Sequence, residues 1–117
     1  YNKLETVPRF NRAAYRTLQK LVLKNNYIDD LSGLQGLDCL AELDLSWNCL
    51  SDHTALWPLE TMTTLVCVNF EGNPLAHHKN HRVLTLRHLN ASLAEGKFVL
   101  DKEPLTKNEK IILSENR

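Results

Sequence analysis

The sequence has 117 residues, 43% hydrophobic and 24% charged, with 14 Lys/Arg balanced by 14 Asp/Glu. This composition suits one soluble, core-forming domain and excludes a disordered or fibrous chain. No apolar run approaches the roughly 18 residues that a spanning helix requires, and no basic start followed by an apolar stretch marks a signal peptide, so no membrane insertion is expected.

In chain order, Asn2 and Leu4 are the remnant of a pattern that is first complete at Leu18-x-x-Leu21-x-Leu23-x-x-Asn26-x-Ile28. It returns at Leu40-x-x-Leu43-x-Leu45-x-x-Asn48-x-Leu50 and at Leu65-x-x-Val68-x-Phe70-x-x-Asn73-x-Leu75. The complete copies place their asparagines 22 and then 25 residues apart, inside the period of leucine-rich repeats. Within each copy the L-x-L core predicts a short strand that turns two apolar side chains to one side and the residue between them to the other. Strands so repeated stack in parallel. The asparagine marks the inward turn, where its amide satisfies backbone groups that no strand ladder reaches, and successive asparagines form a ladder.

Leu31, Leu34 and Leu37, then Leu56, Leu59 and Met62, recur at helical spacing and predict the convex return of each coil, with Pro58 keeping its return irregular or delaying its helical turn. After Leu75 the pattern stops. Residues 78–89 carry Val83, Leu84, Leu86 and Leu89 on one side of an expected amphipathic helix, and Phe98-Val99-Leu100 predicts a last short strand. Thr106-Lys107-Asn108-Glu109 has the T-x-x-E form of a capping box and opens a final helix through Ile111, Ile112 and Leu113. The expected fold is α/β, a right-handed leucine-rich-repeat solenoid with a parallel concave sheet, short convex helices and a C-terminal capping helix. Residues 1–76 hold the repeats, the first truncated, and 77–117 the C-terminal cap. Tyr1-Asn2 aligns with Trp47-Asn48, so a strand is expected to precede this sequence.

The resemblance these motifs carry is to the intracellular class of 22-residue leucine-rich repeats typified by the regulatory subunit of protein phosphatase one. It lies in Gly72-Asn73-Pro74-Leu75, the helix after it, and Leu100-Asp101-x-x-Pro104-Leu105-Thr106-x-x-Glu109-Lys110. More narrowly, Glu71-Gly72-Asn73-Pro74-Leu75 with His78, His81 and Arg82, then Phe98-x-Leu100-Asp101, resembles the family of serine/threonine-kinase-eleven-interacting proteins, with nischarin as the close competitor. The resemblance implies a protein-interaction module of a cytoplasmic scaffold or adaptor that engages a serine/threonine kinase, liver kinase B. It also implies recruitment to endosomal or lysosomal surfaces through other parts of the parent protein. Two other implications stand beside it: a structural cap ending an array whose binding surface lies upstream, and a phosphatase-regulatory adaptor. Extracellular repeat proteins usually close with a cysteine-rich cap, whereas Leu75-Ala76-His77-His78 has none.

On the expected concave face the outward positions include Lys20, Val22, Lys24 and Asn25, then Glu42, Asp44, Ser46 and Trp47, then Cys67, Asn69, Glu71 and Gly72. Protein-binding candidates among them are Glu42, Asp44, Trp47, Asn69 and Glu71. Lys20 falls beside Glu42, whereas Asp44, Asn69 and Glu71 have no expected counter-charge. Charge is segregated along the chain. Residues 1–24 hold six Lys/Arg and one Asp/Glu, 25–76 hold eight Asp/Glu and no Lys/Arg, and 77–117 hold eight Lys/Arg and five Asp/Glu. An acidic central band favours a basic protein partner over nucleic acid, unless the band is a solvated surface and no more. Trp47 has two readings, an interface anchor or an aromatic packed on its own turn.

No catalytic motif is present and no enzymatic activity, cofactor or small-molecule ligand is expected. Cys39, Cys49 and Cys67 form no C-x-x-C pair and suit free thiols in a reducing compartment, where the sequon Asn90-Ala91-Ser92 stays unmodified. His77 and His81, at i and i+4, lack the further ligands zinc requires, so His77, His78 and His81 are expected to be solvated and no metal site is assigned.

Overall fold

A computed structural model describes residues 3–116; the expected partial copy at Tyr1 and Asn2 lies outside them. Three three-residue strands, β1 (Lys20–Val22), β2 (Glu42–Asp44) and β3 (Cys67–Asn69), coincide with the three L-x-L cores. They lie parallel and in sequence order, with Leu21 opposite Leu43 and Leu43 opposite Val68. β4 (Val99–Leu100) adds a fourth parallel strand. β5 (Glu103–Pro104) then folds back antiparallel to it and completes a five-stranded mixed sheet in the order β1-β2-β3-β4-β5.

Period-two alternation decides which side each strand residue faces. Leu21, Leu43 and Val68 are buried while their strand neighbours are exposed or half-buried. Leu23, Leu45 and Phe70 follow on the same inner side, and Ile28, Leu50 and Leu75 close each turn over them. The apolar return residues Leu31, Leu34, Leu37, Leu56, Leu59 and Met62 all enter this one core. Removing each such side chain from water stabilises the fold by roughly 1.5–3 kcal/mol before conformational entropy is charged against it.

Polar residues inside this core are accounted for by hydrogen bonds. Asn48 donates its amide to the carbonyls of Leu23 (2.9 Å) and Leu45 (3.0 Å), and its Oδ1 accepts from the Ile28 N–H at 3.0 Å. Asn73 repeats the arrangement one coil later, donating to Leu45 and Phe70 and accepting from the Leu50 N–H. Asn26 accepts from the Leu4 N–H, which puts Leu4 in the position of Ile28 and Leu50. Each asparagine thus ties its own turn to the preceding coil. Among the described residues, no buried side-chain nitrogen or oxygen lacks a partner.

Several elements depart from the expectation. The return through Pro58 is a nine-residue 3-10 helix, His53–Thr61, that begins ahead of the proline, so its turn is not delayed. The helix expected over 78–89 is shorter: α2 covers His81–Leu86, after a 3-10 turn at Pro74–His77 that has Pro74 at its start. A helix not expected, α1 (Arg12–Thr17), is capped by Asn11, whose Oδ1 accepts the Ala14 N–H at 2.8 Å. Another 3-10 turn, Ala91–Glu95, joins α2 to β4. α3 (Lys107–Ser114) opens on the expected capping box, with the Glu109 N–H donating to Thr106 Oγ1 and the Thr106 N–H to Glu109 Oε1.

Candidate functional site

The outer side of the sheet follows from the register. Lys20, Glu42, Cys67 and Val99 stand in one row, and Val22, Asp44 and Asn69 in the next. These side chains line a shallow depression of about 320 Å³, to which Lys102 contributes from the loop after β4. Three of the candidate residues, Glu42, Asp44 and Asn69, therefore share this surface, Glu71 follows two residues after Asn69, and Trp47 follows three residues after β2, its N–H donating to the Glu71 carbonyl at 2.7 Å.

Two expectations about this face are corrected. Glu71 has a cation near it, because Lys102 Nζ lies 3.7 Å from Glu71 Oε1. The chain reverses after β4 through Asp101 and Lys102, both in the left-handed region (φ 52° and 68°), and this turn brings Lys102 back over the sheet. Ser46, expected to face outward, is 2% exposed. Its hydroxyl donates to Asp44 Oδ1 at 2.6 Å and its N–H donates to the same oxygen at 2.9 Å. Asn69 Oδ1 likewise accepts the Glu71 N–H at 2.9 Å. Asp44 and Asn69 thus shape their own turns as well as the surface. Burial first, and the carboxylates of Glu42 and Asp44 after it, push the Cys67 thiol above its ordinary range, which disfavours the nucleophilic thiolate.

Trp47 is 56% exposed and has a φ of 58°. Asn25 and Gly72, which also immediately precede a repeat asparagine, share this left-handed conformation, with φ of 61° and 79°. Glycine and asparagine tolerate it; a tryptophan is strained there by roughly 1–2 kcal/mol. The indole lies against Gly72 so closely that a Cβ there would fall onto its ring atoms. One side of the ring is therefore supported by backbone while more than half of the residue's surface stays open.

Three side chains from separate segments form a chain of hydrogen bonds. His53 Nε2 lies 2.9 Å from His81 Nδ1, and His81 Nε2 lies 2.7 Å from Asp101 Oδ2. The other carboxylate oxygen of Asp101 accepts the Phe70 N–H at 2.7 Å. His53 and His81 are 8% and 7% exposed, so the expectation of a solvated His81 is overturned. α2 turns His81 inward, against the edge of the Phe70 ring. His77 and His78 are exposed, as expected. Nothing local in the sequence signals the relay, because its members lie 28 and 20 residues apart. Among the described residues, no group of three or more His, Cys, Asp or Glu side chains is placed to hold a metal ion.

Beside the relay, Arg82 joins α2, the β4–β5 hairpin and α3. Its Nε donates to Glu109 Oε2 at 2.8 Å, one terminal nitrogen to Glu109 Oε1 at 3.1 Å, and the other to the Leu100 carbonyl at 2.8 Å. This fork raises the Arg82 pKa and holds the Glu109 carboxyl below its ordinary range.

No protein-family model matches the chain. Over 109 residues it is 39% identical to the serine/threonine-protein kinase 11-interacting protein of Gallus gallus, a span of 93% of this chain and 10% of that protein. Identity to the Homo sapiens protein of that name is 38% over 108 residues, 91% of this chain and 10% of that protein. The geranylgeranyl transferase type-2 subunit alpha of Homo sapiens is 40% identical over 75 residues, 64% of this chain and 13% of that protein. The chain spans about a tenth of the length of the kinase-interacting relatives, and most of its own length is similar to them.

Proposed function

We propose that this chain is a protein-binding segment of a leucine-rich-repeat solenoid in a cytoplasmic scaffold, and that its outer strand face docks a serine/threonine kinase. The observation that carries the reading is Trp47: an exposed indole in a strained backbone conformation, seated on Gly72 at the end of the rows that hold Glu42, Asp44 and Asn69, with its N–H on the Glu71 carbonyl. A rigid aromatic with polar neighbours is the composition of an interface hot spot. Relatives at 38–39% identity are named for interaction with a kinase, which supports a protein partner of that class.

A specific observation favours a second reading, a structural cap for a longer array. β5 runs antiparallel and contains Pro104, and α3 follows it, which is how a parallel series of strands is brought to a stop. The two readings differ in what purified serine/threonine-protein kinase 11 does. Binding by calorimetry is compared for the native chain and for a Glu42→Gln, Asp44→Asn, Trp47→Asn, Glu71→Gln variant, in which the turn acceptors at 44 and 69 are retained. A loss of about tenfold or more in affinity, with no loss of thermal stability, supports docking on this face. Equal affinity in both, or no binding by the native chain, supports the cap.

A further inference from the structure

We propose that the buried chain His53–His81–Asp101 is an acid-sensitive latch that fastens the C-terminal segment 81–116 to the strand layer and releases it on acidification. The geometry restricts the protons. Asp101 accepts the Phe70 N–H through Oδ1, so its Oδ2 takes the His81 Nε2–H at 2.7 Å. His81 Nδ1 faces His53 Nε2 at 2.9 Å, and only one proton fits between those two nitrogens. Either His81 is neutral and accepts from His53, or His81 is cationic and donates to a neutral His53. A second positive charge replaces that hydrogen bond with two like charges inside the core.

The surroundings do not relieve such a charge. His78 and His88 flank His53 from either end of the α2 segment, and Arg87 lines the same surface recess. Asp52, the N-cap next to His53, is committed to the Thr54 N–H at 2.9 Å. Asp101 faces His81, and the Arg82 guanidinium is close enough to interact with its charge. Burial first, then the charges of His81, His78 and His88, bring the His53 pKa down to about 4, so this imidazole stays neutral in the folded chain at neutral pH.

A proton on His53 while His81 is also cationic undoes the link between the 3-10 return and α2, and through His81 it disturbs the Asp101 contact that sets the end of β3 against the turn after β4. Glu60, on the same 3-10 helix as His53, lies 2.9 Å from His88 Nδ1.

Hydrogen exchange of the chain and of its His53→Gln variant tests the latch. Glutamine keeps an N–H donor for His81 Nδ1 and does not titrate. Comparing the two proteins at each pH cancels the intrinsic pH dependence of exchange. The latch predicts that from pH 7 to 4.5 the native segment 81–116 loses protection relative to the variant by a factor on the order of ten or more, while strands β1 and β2 keep theirs. Equal behaviour of the two proteins, or loss spread evenly over the sheet, overturns it. If His53→Gln does not fold, an NMR titration of the native imidazoles decides. Titration of His53 well below 6.5 together with opening of 81–116 supports the latch, and titration at its ordinary value, or without opening, overturns it.

Discussion

The indole of Trp47 occupies the space that a Cβ on Gly72 would need, so one coil's exposed aromatic is seated on the next coil's glycine. Gly72 is demanded twice, by this contact and by its φ of 79°. Gly72→Ala is expected to destabilise the chain by about 2–3 kcal/mol, of which about 1 kcal/mol is backbone strain. In a Trp47→Ala background the cost falls to the strain alone. Urea denaturation of the two single variants and the double variant checks this, and an unchanged cost in the Trp47→Ala background would show that the ring is not what excludes the methyl group.

Asn48 is held by both neighbouring coils and is 6% exposed, with donors and acceptors all engaged. Asn48→Ala leaves the carbonyls of Leu23 and Leu45 short of a donor and the Ile28 N–H without an acceptor, at an expected cost of about 2–4 kcal/mol. Asn26→Ala is expected to cost less. Its Nδ2 donates to Leu23 and Lys24 of its own turn, and among the described residues its bond to the preceding segment goes to half-buried Leu4. Denaturation midpoints give the ranking, and the reverse order would contradict the role of the asparagine bridges.

Features governed by local period or local capping were legible in the sequence. The Leu21, Leu43 and Val68 strands, the three asparagines and the Thr106–Glu109 box each depend on residues within one turn of themselves. α1 was missed because its six residues, Arg12–Thr17, bury no side chain and so leave no apolar period; the cap at Asn11 was its one sign. β5 was missed because Pro104 argues against a strand, and only its place at the sheet edge accommodates it. Of the candidate face, the rows of Glu42 with Lys20 and of Asp44 with Asn69 followed from the repeat register. Lys102 beside Glu71 did not, since it depends on a left-handed turn that no glycine announces. The His53–His81–Asp101 relay assembles across three coils, and a histidine's burial depends on partners its own sequence neighbourhood does not contain.

Arg82 gives a test of how the last elements are joined. A lysine retains the charge but not the planar fork, and it cannot serve Glu109 in bidentate fashion and the Leu100 carbonyl at once. Arg82→Lys is expected to lower stability by about 1–3 kcal/mol and to increase hydrogen exchange in α3 ahead of β1 and β2. Exchange of α3 at the native rate in Arg82→Lys would reduce the arginine to a surface charge.

Stability is expected to fall in two separable steps on acidification. In the unfolded chain His53 takes up a proton near pH 6.5, whereas in the folded chain it stays neutral until about 4. Between those values the unfolded state binds more protons. The contribution of His53, present in full above pH 6.5, is therefore lost progressively as pH falls to about 4, by an expected 1–2 kcal/mol or so. Glu109 acts lower. Its folded pKa lies below the ordinary 4.5 because Arg82 and the Thr106 N–H favour the carboxylate, so its contribution is present above pH 4.5 and is lost as pH falls through the depressed value. Urea midpoints measured from pH 7.5 to 3 for the native chain, His53→Gln and Glu109→Gln separate the steps. His53→Gln is expected to flatten the curve above pH 4 and to leave the lower limb, and Glu109→Gln to do the reverse. A native upper limb unchanged in His53→Gln would assign that step to another histidine.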